Sequence, residues 1–161
     1  MTGFLDLLQR SWPAMWPLLL VVAAAALLAR ADGLWRWWQG MRLGLNEIDE
    51  MSGEEFELWL ERFFRRAGWQ VRRVGGSGDF GCDLILVYGG YATAVQAKRS
   101  AKPVGVQAVQ EVVAGRQHHG CHYAMVVTNS GFTVAAVQLA QSCGVELWDR
   151  DRLADELERY G

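Results

Sequence analysis

The chain has 161 residues, a formal net charge of −2 and 51% hydrophobic residues. That length holds one ordinary domain plus an appendage, and the composition excludes both a disordered chain and a strongly basic nucleic-acid coat. Its three cysteines, Cys82, Cys121 and Cys143, are an odd number without framework spacing, which fits a reducing compartment better than a disulfide scaffold.

From Ser11 to Ala29 no residue is charged, and Leu18 to Leu28 is wholly apolar. A run of about 20 apolar residues crosses a bilayer core as a helix. Trp12 and Trp16 stand at one end, with Trp35, Trp37 and Trp38 beyond the other, as in an aromatic belt at both interfaces. Arg30, Arg36 and Arg42 follow the run and only Arg10 precedes it, so the positive-inside bias puts the C-terminal side in the cytoplasm. The expectation is a single-pass inner-membrane protein with its soluble part inside the cell. A cleaved signal peptide ending near Ala29 and Ala31, and a buried core helix, are the competing readings. Pro13 and the early tryptophans suit a signal peptide poorly. Leu34 to Leu45 reads as an interfacial stretch and linker. A shift in composition near Asn46 to Glu50 divides the anchor and linker, 1–45, from a soluble domain, 46–161.

Ser52 and Glu55 have capping-box spacing, and Phe56, Leu60, Phe63 and Phe64 recur on one face of the helix that follows. Gly68 ends that helix. Trp69 to Val74 reads as a strand and Gly75 to Gly78 as a loop. Two strands, Leu84 to Tyr88 and Tyr91 to Lys98, flank Gly89-Gly90, a tight hairpin connection. Val106, Val109 and Val113 have helical spacing. Tyr123 to Thr128 is a buried strand parallel to a neighbour, Val134 to Gln141 a helix and Val145 to Trp148 a strand. Asp149 to Tyr160 reads as a final solvated helix. The order predicts a layered α/β domain with a mixed sheet.

The hairpin fixes a geometry. Pairing Tyr88 with Tyr91 sets Asp83 opposite Gln96, with their side chains on one face. Lys98 points to the same face and has Gly81 across from it, which leaves space above the pleat. A carboxylate, an amide oxygen and an ammonium then converge beside a glycine-rich opening. Asp83, Gln96 and the carbonyl of Ala97 supply oxygen ligands suited to a hard cation such as Mg²⁺, with Mn²⁺ as a substitute. Such a metal polarises a phosphate and acidifies bound water, while Lys98 orients or deprotonates that water or neutralises developing charge. Glu57, one position off the apolar stripe of the first helix, reaches the rim as an outer ligand or a ligand to a second metal.

Five stretches in order carry a resemblance: Ser52 to Phe64 (SGEEFELWLERFF), Gly78 to Leu86 (GDFGCDLIL), Val95 to Arg99 (VQAKR), Val104 to Val112 (VGVQAVQEV) and Thr128 to Thr133 (TNSGFT). Together they resemble the catalytic domain of Mrr-type restriction endonucleases, over about residues 50 to 150. That family belongs to the PD-(D/E)xK nuclease superfamily, and its D…QxK variant site matches Asp83, Gln96 and Lys98. Glu57 matches the family's helix glutamate and Asp79 a commonly acidic position. The resemblance implies a three-layer restriction-endonuclease-like fold around a mixed sheet and Mg²⁺-dependent cleavage of DNA, often in defence against foreign or modified DNA. Nucleases of this fold often work in pairs, so a homodimer is among its implications. The chain departs from larger members in carrying a membrane segment and no separate DNA-recognition domain.

Bland readings stand beside these. Asp83 alone is a turn residue at a strand start, and Lys98 alone a solvated strand end. His118, His119, Cys121 and His122 match no zinc spacing. Arg62, Arg65, Arg66, Arg72 and Arg73 form either a DNA-backbone contact or a solvated face, and Gln110 reads as surface. Two rival functions remain: a catalytically inactive or weak nuclease fold that binds DNA at the membrane, and an interaction protein using the charged tail from Asp149 to Glu158.

Overall fold

The computed structural model describes residues 44–75 and 80–160. The expected membrane-spanning run and Asp79 lie outside the described residues. The described residues belong to one compact unit, 43–161. Among the described residues no helix is long and apolar enough to cross a membrane.

Residues 44–50 are helical and lead into α1 (Gly53–Arg66), β1 (Gln70–Arg73), β2 (Leu84–Tyr88), β3 (Tyr91–Lys98), α2 (Val106–His118), β4 (Tyr123–Thr128), α3 (Val134–Cys143), β5 (Val145–Trp148) and α4 (Arg150–Tyr160). Ser52 begins α1 with the full capping box: its hydroxyl accepts from Glu55 N at 3.2 Å, and the Glu55 carboxylate accepts from Ser52 N at 2.7 Å. The two satisfy donors that the first helical turn leaves orphaned.

The strands form one five-stranded sheet in the order β1-β2-β3-β4-β5. β1, β2 and β3 pair antiparallel, while β3, β4 and β5 run parallel. Gly89 and Gly90, at φ 57° and 87°, make the turn that joins β2 to β3. Both central positions of such a turn need a positive φ, which glycine adopts freely.

Alternate side chains divide the core between the two faces. Phe56, Leu60, Phe63 and Phe64 of α1 and Leu153 of α4 pack with Leu84, Leu86, Val95, Met125, Val127 and Trp148. On the other face Val109 and Val112 of α2 and Ala136 and Ala140 of α3 pack with Ile85, Ala94, Ala124 and Val126. The result is the expected three-layer sandwich. α4 departs from the solvated helix read from its charges, because Leu153 and Glu156 are buried. Asp151, Arg152, Asp155, Glu158 and Arg159 lie exposed, and Arg152 and Arg159 pair with the buried Glu156.

The helical residues 44–50 also contribute to the core. Ile48 is fully buried against the α1 face, with Leu45 packed beside it. Burial of a side chain of this size contributes about 1.5–3 kcal/mol.

Candidate active site

β2 and β3 pair with residue numbers summing to 179, from Tyr88–Tyr91 to Leu84–Val95. The ladder stops one pair short of Asp83–Gln96. The Asp83 N–H donates instead to Val95 O at 2.9 Å, so the backbone has already left the register there. The side chains still meet as the hairpin requires: Gln96 Nε2 donates to Asp83 Oδ2 at 2.5 Å. The same carboxylate oxygen accepts from Ala97 N at 2.7 Å, standing in for a neighbouring strand just beyond the end of β2. Both side chains are buried, Asp83 at 8% and Gln96 at 4% exposure.

Lys98, next on this face, pairs with Glu111 of α2, Nζ to Oε2 at 2.9 Å. Glu111 Oε1 accepts from Gln107 Nε2 at 2.9 Å. Gly81 is not the open partner of Lys98 that the register suggested. It has φ 76°, and a Cβ built there would lie 2.5 Å from Glu111 Cβ and 2.8 Å from the Glu111 backbone. The space above Gly81 is filled by α2, which sets Glu111 beside Lys98. Glu111 was missed at the sequence level, although it lies in the VGVQAVQEV stretch that carried part of the resemblance.

Glu57 stands on α1, whose apolar face packs on the opposite side of the sheet. Its carboxylate pairs with Arg73 at 3.5 Å. The same carboxylate lies near Gly75, 4.0 Å from where a Cβ would stand there. Gln110 is exposed, as the surface reading has it. His118 stacks on Phe80, and His122 Nδ1 accepts from Ala92 N at 3.2 Å. No group of three or more His, Cys, Asp or Glu suited to a metal occurs among the described residues. Burial pushes the Cys82 thiol beside Asp83 up to about 12, so it stays protonated and offers no thiolate nucleophile.

The TNSGFT stretch clamps the chain just past Lys98. Thr128 Oγ1 donates to Lys98 O at 2.6 Å, and Asn129 Oδ1 accepts from Ser100 N at 2.7 Å. Asn129 Nδ2 in turn donates to Asp49 Oδ1 at 2.8 Å, and Arg150 Nη1 donates to the same oxygen at 2.7 Å. The hydrogen bond from Arg150 holds the Asp49 carboxyl below the usual carboxylate range, against the opposing effect of its partial burial. Asp49, Ser100, Asn129 and Arg150 line a cavity of about 590 Å³ at the carboxyl ends of the three parallel strands. A second cleft, of about 390 Å³, opens beside Lys98 and Arg99 and is lined also by Ser100, Pro103 and Gln107.

The donor set fits a hard divalent cation. Gln96 Oε1 is buried without a hydrogen-bond partner. A sealed acceptor of that kind costs about 1–3 kcal/mol unless something satisfies it. It belongs to the amide already bonded to the Asp83 carboxylate, and a half-turn of that amide exchanges its oxygen and nitrogen. The Ala97 carbonyl lies beside the same amide, 3.5 Å from Gln96 Nε2. Carboxylate, amide and carbonyl oxygens are the ligands Mg²⁺ takes.

The model of the Mrr catalytic domain of restriction endonucleases matches residues 48–157, well over half of the chain. The chain belongs to this Mrr catalytic-domain family. It is 33% identical over 121 residues to the type IV methyl-directed restriction enzyme EcoKMrr of Escherichia coli (strain K12), a match covering 68% of this chain and 39% of that protein. The chain therefore spans only about two-fifths of that relative. Among solved structures it is similar to the DNA modification-dependent restriction endonuclease AspBHI, with a TM-score of 0.55 at 20% identity over 74% of this chain and 35% of that one. It is also similar to the MspJI restriction endonuclease in complex with a 27-mer oligonucleotide, with a TM-score of 0.54 at 24% identity over 75% of this chain and 31% of that one. At such identities the two structures establish the fold: the Mrr domain here is restriction-endonuclease-like.

Proposed function

We propose that this Mrr domain hydrolyses phosphodiester bonds in DNA with the help of a divalent metal, Mg²⁺ or Mn²⁺, in restriction of foreign DNA. The observation that carries the reading is the Asp83–Gln96 pair at the open end of the hairpin, with Lys98 two residues further along the same face. Asp83, Gln96 and the Ala97 carbonyl would hold the metal, which supplies charge to polarise the phosphate and to acidify a bound water. Lys98 and Arg99, beside the smaller cleft, attract the phosphate. Lys98 then holds its ammonium against developing charge or orients the attacking water. Glu111 fixes where that ammonium sits. Glu57 takes the outer role, as a ligand at the rim. Kinship with a methyl-directed enzyme supports action on modified DNA. Cutting both strands calls for two such domains, and a homodimer is the simplest way to bring them together. The apolar N-terminal run would tether the domain to the cytoplasmic face of the inner membrane.

The decisive experiment is plasmid nicking by the purified chain with Mg²⁺ or Mn²⁺, alongside Asp83→Asn and Lys98→Ala. Each variant should lose activity by 100-fold or more, on the order seen when an electrostatic group of a transition state is removed. Variants that nick as fast as the parent would discredit the assignment. A second reading, a DNA-holding domain without cleavage, is favoured by the internal pairing of Asp83 with Ala97 N–H and of Lys98 with Glu111. DNA binding that persists in EDTA, with no nicking in either metal, would establish it.

A further inference from the structure

We infer that Phe80 is a stacking platform for one nucleobase next to the phosphate being cut, an inference that rests on the nuclease reading above. Phe80 is the one non-glycine with a positive φ among the described residues, at 49°. A bulky L-residue takes up that conformation only where its surroundings impose it, and such positions cluster at functional sites.

The surroundings are visible on both sides. After Phe80 comes Gly81, seated on the backbone of Glu111. Below lies Gly115 of α2, where a built Cβ would stand 3.2 Å from Phe80 O and 2.8 Å from Cys82 Cβ. Residues 80–82 are thus pressed onto α2 by two close approaches that only glycine allows. The backbone geometry follows from that contact, but the phenyl ring does not. Glycine would satisfy the same φ without strain, and 54% of Phe80 is exposed, so the side chain gains little from burial.

The ring rests on His118, with centroids 4.0 Å apart and planes 28° from parallel. His118 is itself exposed, so the pair forms a two-ring step on the surface. The step adjoins the candidate active site through covalent neighbours. Phe80 is three residues before Asp83, and the adjoining Gly81 touches the Glu111 that holds Lys98. The charged groups there suit a phosphate. An exposed aromatic ring beside them suits the part of a nucleotide that is flat and uncharged. Every base offers a π-face, so such a contact tolerates any sequence and favours a base that has left the duplex stack.

The test uses the full chain in detergent and DNA carrying 5-iododeoxyuridine at successive positions around the cleavage point, with Ca²⁺ replacing Mg²⁺ during irradiation. The parent should form a photo-crosslink that mass spectrometry maps to Phe80 at one position only. Phe80→Leu should lose it and bind the oligonucleotide about tenfold more weakly, the low end of what a stacked base is worth. Phe80→Trp should restore affinity and crosslink. Phe80→Gly should unfold at no lower a temperature than the parent yet fail to crosslink, which separates stacking from stability. If Phe80→Leu binds as the parent does, or the crosslink maps elsewhere while Asp83→Asn still abolishes nicking, the platform is overturned and the nuclease reading survives. A parent chain that neither binds nor cuts DNA overturns both.

Discussion

Removing the Asp83 carboxylate strips the Ala97 N–H of its acceptor in a place where no strand can replace it. Asp83→Ala should therefore lose about 1–3 kcal/mol of stability, the cost of an orphaned buried donor, besides any loss of cleavage. Asp83→Asn keeps an acceptor oxygen and should retain most of that stability in urea titrations. If the two variants unfold alike, the oxygen is not part of the ladder. Glu111 is a positioning residue by the same logic. Glu111→Gln leaves Gly81 its neighbour but loosens Lys98, and nicking should slow about tenfold, short of the Lys98→Ala effect. Gly81→Ala meets both a positive φ and the α2 backbone, and should destabilise by about 1–3 kcal/mol in the same titration.

At the scale of elements, Ser52→Ala should cost about 1 kcal/mol by thermal unfolding, because the α1 cap is reciprocal. Asp49 gives a pH dependence. Its folded carboxyl is held below its ordinary value by Arg150, so its contribution is present above that ordinary value and lost as pH falls through the lowered one. The Asp49–Arg150 pair is more than a third exposed on each side, so screening limits the contribution to about 1 kcal/mol or less. Asp49→Asn should lower the melting temperature slightly at neutral pH and flatten its fall under acid; an unchanged acid profile would remove Asp49 from the account. The elements themselves were legible because their signals are local. Short runs of strand-forming residues wrote β2 and β3, two glycines wrote the turn, and a four-residue box wrote the start of α1. The Asp83–Gln96 contact was legible for the same reason, being a consequence of hairpin register. The Asp49–Asn129 and Arg150–Asp49 bonds join residues 80 and 101 positions apart, and no local pattern encodes them. The Lys98–Glu111 pair escaped for a related reason: it depends on how α2 crosses the sheet, which Gly81 and Gly115 decide by shape rather than by polarity.

At the scale of the molecule, the folded unit starts before the break in composition. A shortened chain beginning at Leu43 should fold cooperatively, while one beginning at Met51 loses Ile48 from the core and Asp49 from the strand ends. The shorter form should be less stable by about 2–4 kcal/mol, through a lost side chain of that size and the groups it leaves behind. Equal melting curves for the two forms would show that residues 44–50 add nothing. Sheet order carries a last consequence. β1 is an outer strand, and it bears Arg72 and Arg73, both exposed. Two copies laid together along that border would crowd their guanidinium groups, an arrangement that like charges resist. The arginines thus guard the β1 flank against stacking into longer ribbons.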